Sequence, residues 1–200
     1  MSVPQICGLL STLCMTGSYY TYWRQIRLGH STPNLVTSLL FIPITIVNAI
    51  TYSAMLDKDF LKAITALVVC GFTVLLCGYI LLWKKYVFKN TSATWITGGL
   101  ALTATIVWLL TDATIGNLMI QVVLIACFIP IIHGLLDGHL KERPLAWVLA
   151  ATAYAISTIP LLLHWEGFAP LAFPLLNGVL GNGTIAILAV THAHKYQHIE

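Results

Sequence analysis

The residues of this chain that could do chemistry are polar side chains inside long apolar segments. The clearest are Asn177 and Asn182, in the run Asn-Gly-Val-Leu-Gly-Asn-Gly-Thr near the middle of one such segment. An amide carries donors and an acceptor that need partners, and inside a membrane such groups face each other or a cavity. The glycines leave the backbone open to close approach. The pattern predicts a site for a polar solute, and a small-residue packing face is the structural alternative.

Two polar stripes at helical spacing accompany these asparagines. The first stripe, in segment 34–56, consists of Ser38, Thr45, Asn48 and Tyr52. The second, in segment 144–163, consists of Trp147, Tyr154, Ser157 and Thr158. Three positions match between them at an offset of 109 residues, so the stripes could line one central cavity. We predict solute contacts from Asn48, Tyr52, Tyr154 and Ser157, although hydroxyls that bond their own helix or a neighbouring helix would look the same.

Three prolines fall inside apolar segments, at Pro43, Pro130 and Pro160. Each lacks an N–H and leaves a backbone carbonyl without its helical donor, which bends a membrane helix. We predict that they act as hinges, and a static kink is the alternative.

Charged residues are absent from the middle of every apolar segment. This argues against a proton pump with a central carboxylate relay and favours a facilitative protein without a bound cofactor. Asp112, Asp137 and Glu142 lie at segment ends, where they could titrate. Six of seven histidines lie near one predicted membrane face, but His133 and His139 form no helical pair for a metal. We therefore predict no metal ligand and no catalytic residue, with a histidine-dependent metalloenzyme kept as an alternative.

Composition decides which elements position these groups. Of 200 residues, 58% are hydrophobic and 8% are charged, whereas about a quarter of a soluble domain is charged. A spanning helix needs roughly 20 mainly apolar residues. The sequence predicts an all-α membrane protein with one domain over 1–200 and seven spans, near 3–23, 34–56, 59–83, 93–111, 116–136, 144–163 and 168–191.

Basic residues are distributed asymmetrically over the loops. One side collects eight of the ten lysines and arginines: Arg24, Arg27, Lys84, Lys85, Lys89, Lys141, Arg143 and Lys195. Only Lys58 and Lys62 lie on the other side. By the positive-inside rule, we predict an outside N-terminus and a cytoplasmic C-terminus, in what we expect to be a bacterial inner membrane.

The chain also contains a weak internal repeat. Gly29-His30 with Pro33 is echoed by Gly138-His139 with Pro144, 109 to 111 residues later. We predict two parallel three-helix units, about 3–83 and 116–191, joined by a linker helix at about 93–111 and followed by a tail, 192–200. An odd linker gives both units the same orientation.

The loop segments Tyr20–Ser38 and Pro130–Trp147 carry a resemblance. Each has a short polar loop before a new apolar helix, and the second has a proline late in the preceding helix. In this layout the chain resembles the SWEET, SemiSWEET and PQ-loop superfamily. It departs from the pattern at the proline-glutamine pair, because Pro130 is followed by Ile131. The resemblance implies the three-one-three topology and a substrate-contacting asparagine at Asn177 or Asn182.

The sequence therefore predicts a transporter that moves a small polar or zwitterionic solute by alternating access. Its expected partners are the solute and the lipid bilayer, with no nucleic acid, and homo-oligomers are possible. A ligand or cargo receptor on the same fold is the alternative from another functional class, because a receptor would use the same cavity without translocation.

Overall fold

A computed structural model describes residues 2–57, 59–83, 92–165 and 167–196, with no account of the side chains of 92–94 and 192–196. Within these ranges the chain is helical and contains no β-strand. The elements are α1 (Val3–Arg27), α2 (Leu35–Met55), α3 (Phe60–Trp83), α4 (Ser92–Leu110), α5 (Ala113–Leu136), α6 (Pro144–Leu163), α7 (Ala169–Ala172), the π-helix π1 (Phe173–Gly181) and α8 (Asn182–Tyr196). Several predicted charged groups lie outside the described residues or side chains: Lys58, Lys84, Lys85, Lys89, His192, His194, Lys195 and His198.

Five stretches in the described ranges are long and apolar enough to cross a membrane. They are α2, α3, α5, α6 and the continuous helix Ala169–Thr191. The apolar part of α4, Trp95–Leu110, is shorter, and α1 is long but more polar. Large apolar side chains point outward, with Leu82 75% and Leu110 78% exposed. Water would penalise such a surface and lipid would not, so an integral membrane protein is indicated.

The two predicted repeats begin and end their helices in register. Helix α1 ends at Arg27 and α5 at Leu136, 109 residues apart; α2 and α6 begin 109 residues apart, as do α3 and α7. Both first helices end in the same turn, with Gly29 at φ 75° and Gly138 at φ 72°. Only glycine adopts this left-handed region without strain, which explains why both turns carry it.

Backbone hydrogen bonds in the two turns also match at the offset of 109. Ser31 N donates to Gln25 O at 3.3 Å, and Leu140 N donates to Gly134 O at 2.8 Å. The loops then pair with each other at equivalent positions. Thr32 N donates to Lys141 O at 2.9 Å, and Lys141 N donates to Thr32 Oγ1 at 2.9 Å.

Helix packing follows the same correspondence. The most extensive contact joins α1 to α6, and the equivalent pair, α2 and α5, also packs together. Helix α3 packs against α1 and α2, while π1 and α8 pack against α5 and α6. Helix α4 lies outside this arrangement, mainly against α5. The contacts leave a cavity among the other six segments.

Candidate functional site

A cavity of about 170 Å³ lies between α1, α2, α3, α5, α6 and the π1–α8 segment. Four of the six predicted solute-binding residues line it: Asn48, Tyr154, Asn177 and Asn182. Both predicted stripes reach its wall, because Ser38, Thr45 and Trp147 line it as well. None of the residues that line this cavity is charged.

The other two predicted residues do not line this cavity. The Tyr52 hydroxyl is buried and donates to the Pro170 carbonyl oxygen at 2.9 Å, which joins α2 to α7. The Ser157 hydroxyl donates to the Tyr154 carbonyl oxygen, in its own helix, at 2.8 Å. Both side chains therefore have structural partners, and their contact with a solute stays a prediction.

A buried amide network forms one wall of the site. Asn48 Oδ1 accepts from Gln121 Nε2 at 2.9 Å and from Asn117 Nδ2 at 3.2 Å. Asn117 Nδ2 also donates to Thr51 Oγ1 at 3.0 Å. Gln121 Nε2 donates in addition to Asn117 Oδ1 at 3.0 Å. In a medium without water, these polar groups can satisfy one another only because α2 and α5 bring them together.

The network continues to π1 through Asn177, which is 4% exposed. Asn177 Nδ2 donates to Gln121 Oε1 at 2.6 Å. Its Oδ1 is buried and has no hydrogen-bond partner in the described structure. At the other end, Asn48 Nδ2 donates no hydrogen bond to the described residues. The network thus ends in one unused acceptor and one unused donor, both on residues that line the cavity.

Sequence reasoning missed Asn117 and Gln121, which are 0% and 2% exposed. The available signal was their spacing of four residues within the apolar segment Ala113–Leu136, which puts both on one helix face. Four-residue spacing alone does not reveal that this face meets Asn48 and Asn177.

The π-helix explains how Asn177 and Asn182 come to this wall. Asn182 Nδ2 donates to the Asn177 carbonyl oxygen at 3.0 Å and to the Gly178 carbonyl oxygen at 2.8 Å. A side-chain amide thereby satisfies carbonyls where the backbone ladder is altered, and π-helical turns are frequent at functional sites. A Cβ at Gly178 would overlap the Tyr154 ring, and a Cβ at Gly181 would overlap the Phe128 ring. The predicted close approach is confirmed at these two glycines.

The three predicted hinge prolines all lie inside helices: Pro43 in α2, Pro130 in α5 and Pro160 in α6. Pro43 is exposed, whereas Pro130 and Pro160 are buried. Because proline has no N–H, each helix lacks one ladder hydrogen bond at that point. A hinge function stays a prediction.

A buried carboxyl group lies next to the loop end of the cavity. Glu142 is 8% exposed, and its Oε1 accepts from the Tyr22 hydroxyl at 2.9 Å. Its Oε2 accepts from Trp147 Nε1 at 3.2 Å. Burial raises the pKa of Glu142 to about 7, although hydrogen bonds from Tyr22, Trp147 and Ser31 oppose the increase. Tyr22 and Trp147 line the cavity, whereas Glu142 lies behind them.

Neither known families nor known structures assign this site. Among the described residues, no group of three His, Cys, Asp or Glu side chains could hold a metal ion. Comparison of the chain with protein-family models, with curated proteins and with solved structures finds no match.

Proposed function

We propose that the chain is a seven-span membrane transporter that moves a small, neutral, polar or zwitterionic solute by alternating access. The observation that carries this proposal is the buried amide oxygen of Asn177, which has no hydrogen-bond partner on the wall of the cavity. Leaving such an oxygen unpaired costs about 1–3 kcal/mol. A solute that offers an O–H or N–H donor would remove that penalty, and this gives the cavity a preference for polar ligands.

The second unused group narrows the chemistry of the solute. Asn48 Nδ2 needs an acceptor, while Asn177 Oδ1 needs a donor. A hydroxyl, carboxamide or amino acid carries both. The uncharged lining favours solutes without net charge, because a buried unpaired ion is far more costly than a neutral polar group.

The correspondence between the two halves supports a rocking mechanism. Equivalent helices exchange partners, and equivalent loop residues Thr32 and Lys141 bond to each other. Such relations are expected of two parallel units around an axis along the membrane normal, with α4 as the linker. This arrangement resembles the three-one-three plan of the SWEET and PQ-loop superfamily. We place the N-terminus outside and the C-terminus in the cytoplasm of a bacterial inner membrane, from the charge asymmetry of the loops.

Alternating access requires each unit to bend or rotate around the cavity. We assign the bending to Pro43, Pro130 and Pro160, where the helical ladder lacks a donor. Without a charged group on the cavity wall, passage would be facilitative and driven by the solute gradient.

The test is solute uptake and counterflow in proteoliposomes that contain the purified chain. The probes are radiolabelled alanine, glutamine, glycerol and glucose, each offered against the same solute preloaded inside. We expect counterflow of at least one probe, reduced tenfold or more by Asn177→Ala, because the ligand then loses its acceptor. Thr184→Ala is the matched control, since Thr184 is exposed on α8 and bonds only its own helix.

Three outcomes separate the alternatives. Counterflow that Asn177→Ala leaves intact removes this residue from the site. Saturable binding of a probe without any counterflow assigns the chain to the receptor class. Neither binding nor counterflow of any probe contradicts the proposed range of solutes.

A further inference from the structure

We propose that Glu142 is a proton-operated positioning residue, whose carboxylate holds Tyr22 and Trp147 across the loop end of the cavity and releases one of them on protonation. The chain of contacts crosses from α1 to α6, because Tyr22 belongs to the first helix and Trp147 to the sixth. The Tyr22 and Trp147 rings also pack edge to face, with centroids 5.6 Å apart. Their relative position therefore depends on the group that bonds both.

The direction of the hydrogen bonds makes the contact sensitive to a proton. Both the Tyr22 hydroxyl and Trp147 Nε1 donate, and each uses a different carboxylate oxygen. An ionised carboxylate accepts from both, whereas a carboxylic acid carries a proton on one oxygen and becomes a donor there. Protonation thus weakens the bridge on one side. Since Glu142 is not part of the cavity wall and both of its oxygens are occupied, it acts on the solute only through these two side chains.

No fixed cation keeps Glu142 ionised. The elements around it carry other charged or titratable groups, and all of those near it in sequence or on the facing α1 and its loop are exposed: Arg24, Arg27, His30, His139, Lys141 and Arg143. Glu142 forms no ion pair with any described residue. On α3 the nearest titratable group is the Cys77 thiol, which donates to the Ser38 carbonyl oxygen. The groups that face the carboxyl are therefore the neutral donors Tyr22, Trp147 and Ser31.

Burial and hydrogen bonding act in opposite directions on this carboxyl. Desolvation favours the neutral acid, and the donors favour the anion, so that the pKa lies at about 7. Both forms are then populated near neutral pH. A bridge with two accessible states is the element that a pH-dependent gate requires.

The test follows the Trp147 side chain directly. All tryptophans of the purified protein are replaced by 5-fluorotryptophan, and Trp147→Phe identifies the Trp147 signal in the fluorine NMR spectrum. We expect this signal to move with a midpoint near pH 7 in the wild type and to stay constant from pH 5.5 to 8.5 in Glu142→Gln. Trp165, which is exposed at the opposite end of α6, supplies the internal control signal.

A second variant keeps the result decisive if Glu142→Gln fails to fold. Tyr22→Phe removes one donor to the anion while it keeps the ring, so the midpoint of the Trp147 signal should rise by roughly one pH unit. A Trp147 signal that ignores pH in the wild type, or that moves equally in Glu142→Gln, overturns the proposal. An unchanged midpoint in Tyr22→Phe does so as well.

Solute flux is measured separately against pH in proteoliposomes. The pH dependence of flux rests on the proposed transport function, whereas the titration of the Trp147 signal does not. A titrating signal in a protein that moves none of the probes supports the bridge and contradicts transport. Flux with a signal that does not titrate supports transport and contradicts the bridge. If both hold, flux should rise as the pH falls through about 7, and Glu142→Gln should remove this dependence.

Discussion

Replacement of Gln121 by leucine tests whether the amide network is a structural unit. Leucine fills a similar volume but removes the side-chain bonds to Asn48 Oδ1 at 2.9 Å, Asn117 Oδ1 at 3.0 Å and Asn177 Nδ2 at 2.6 Å. Hydrogen bonds between membrane helices average about 0.6 kcal/mol each, with a maximum of about 1.7. Three such bonds give about 2 kcal/mol, and the 2% exposure of Gln121 means that water cannot replace them.

The assay is thermal unfolding in a mild detergent, followed by far-UV circular dichroism. For a chain of this size, about 2 kcal/mol corresponds to a decrease in Tm of roughly 4–8 °C. Thr184→Val is the control, because its hydroxyl bonds only to Leu180 O on an exposed helix face, and its Tm should change by about 1 °C or less. A Gln121→Leu protein that melts within about 1 °C of the wild type would refute the network as a source of stability. A double-mutant cycle with Asn177→Leu should then show coupling, since both changes remove the same hydrogen bond.

Three further predictions concern positions around the cavity. Gly178→Ala should destabilise the protein by about 1–3 kcal/mol in the same assay, because its Cβ overlaps the Tyr154 ring, whereas Gly183→Ala should be tolerated, since nothing lies within 4 Å of its Cβ. Wild-type stability relative to Glu142→Gln should fall by about 3 kcal/mol as the pH rises from 4.5 past 7. The sign follows because a raised carboxyl pKa stabilises the folded state below the unfolded pKa and is lost as the folded acid ionises; an increase of relative stability with pH would contradict the burial of this group. Tyr52→Phe should lower Tm by a few degrees, because it leaves a backbone carbonyl without its donor, yet it should retain solute counterflow; loss of counterflow at unchanged stability would place Tyr52 in the site.

Much of the fold follows from local features of the sequence. The apolar segments predict the helices within a few residues, and Gly29 and Gly138 mark the turns that end α1 and α5. Helix α2 begins after Asn34, whose side chain accepts from the Val36 backbone N–H at 3.0 Å. These are effects of residues within one or two helical turns of each other, so they can be read from neighbours along the chain.

The site could be predicted only in part. Asn48, Tyr154, Asn177 and Asn182 were expected at a common cavity, and the structure puts all four on its wall. Asn117 and Gln121 were missed, although their spacing on α5 was visible, because nothing in a single helix tells which neighbour its polar face will meet. The seven-span count, the membrane orientation and the functions of the three prolines stay predictions.

The sequence by itself determined that long apolar helices build this protein, where they begin and that two halves of the chain share a turn at an offset of 109 residues. Only the tertiary structure decided which polar groups meet. Gln121 bonds Asn48 across 73 residues of chain, and Asn177 bonds Gln121 across 56. Glu142 likewise meets Tyr22 across 120 residues and becomes buried there. Helical periodicity fixes the face on which a side chain lies, but the packing of separate helices decides whether that face meets lipid, a cavity or another amide.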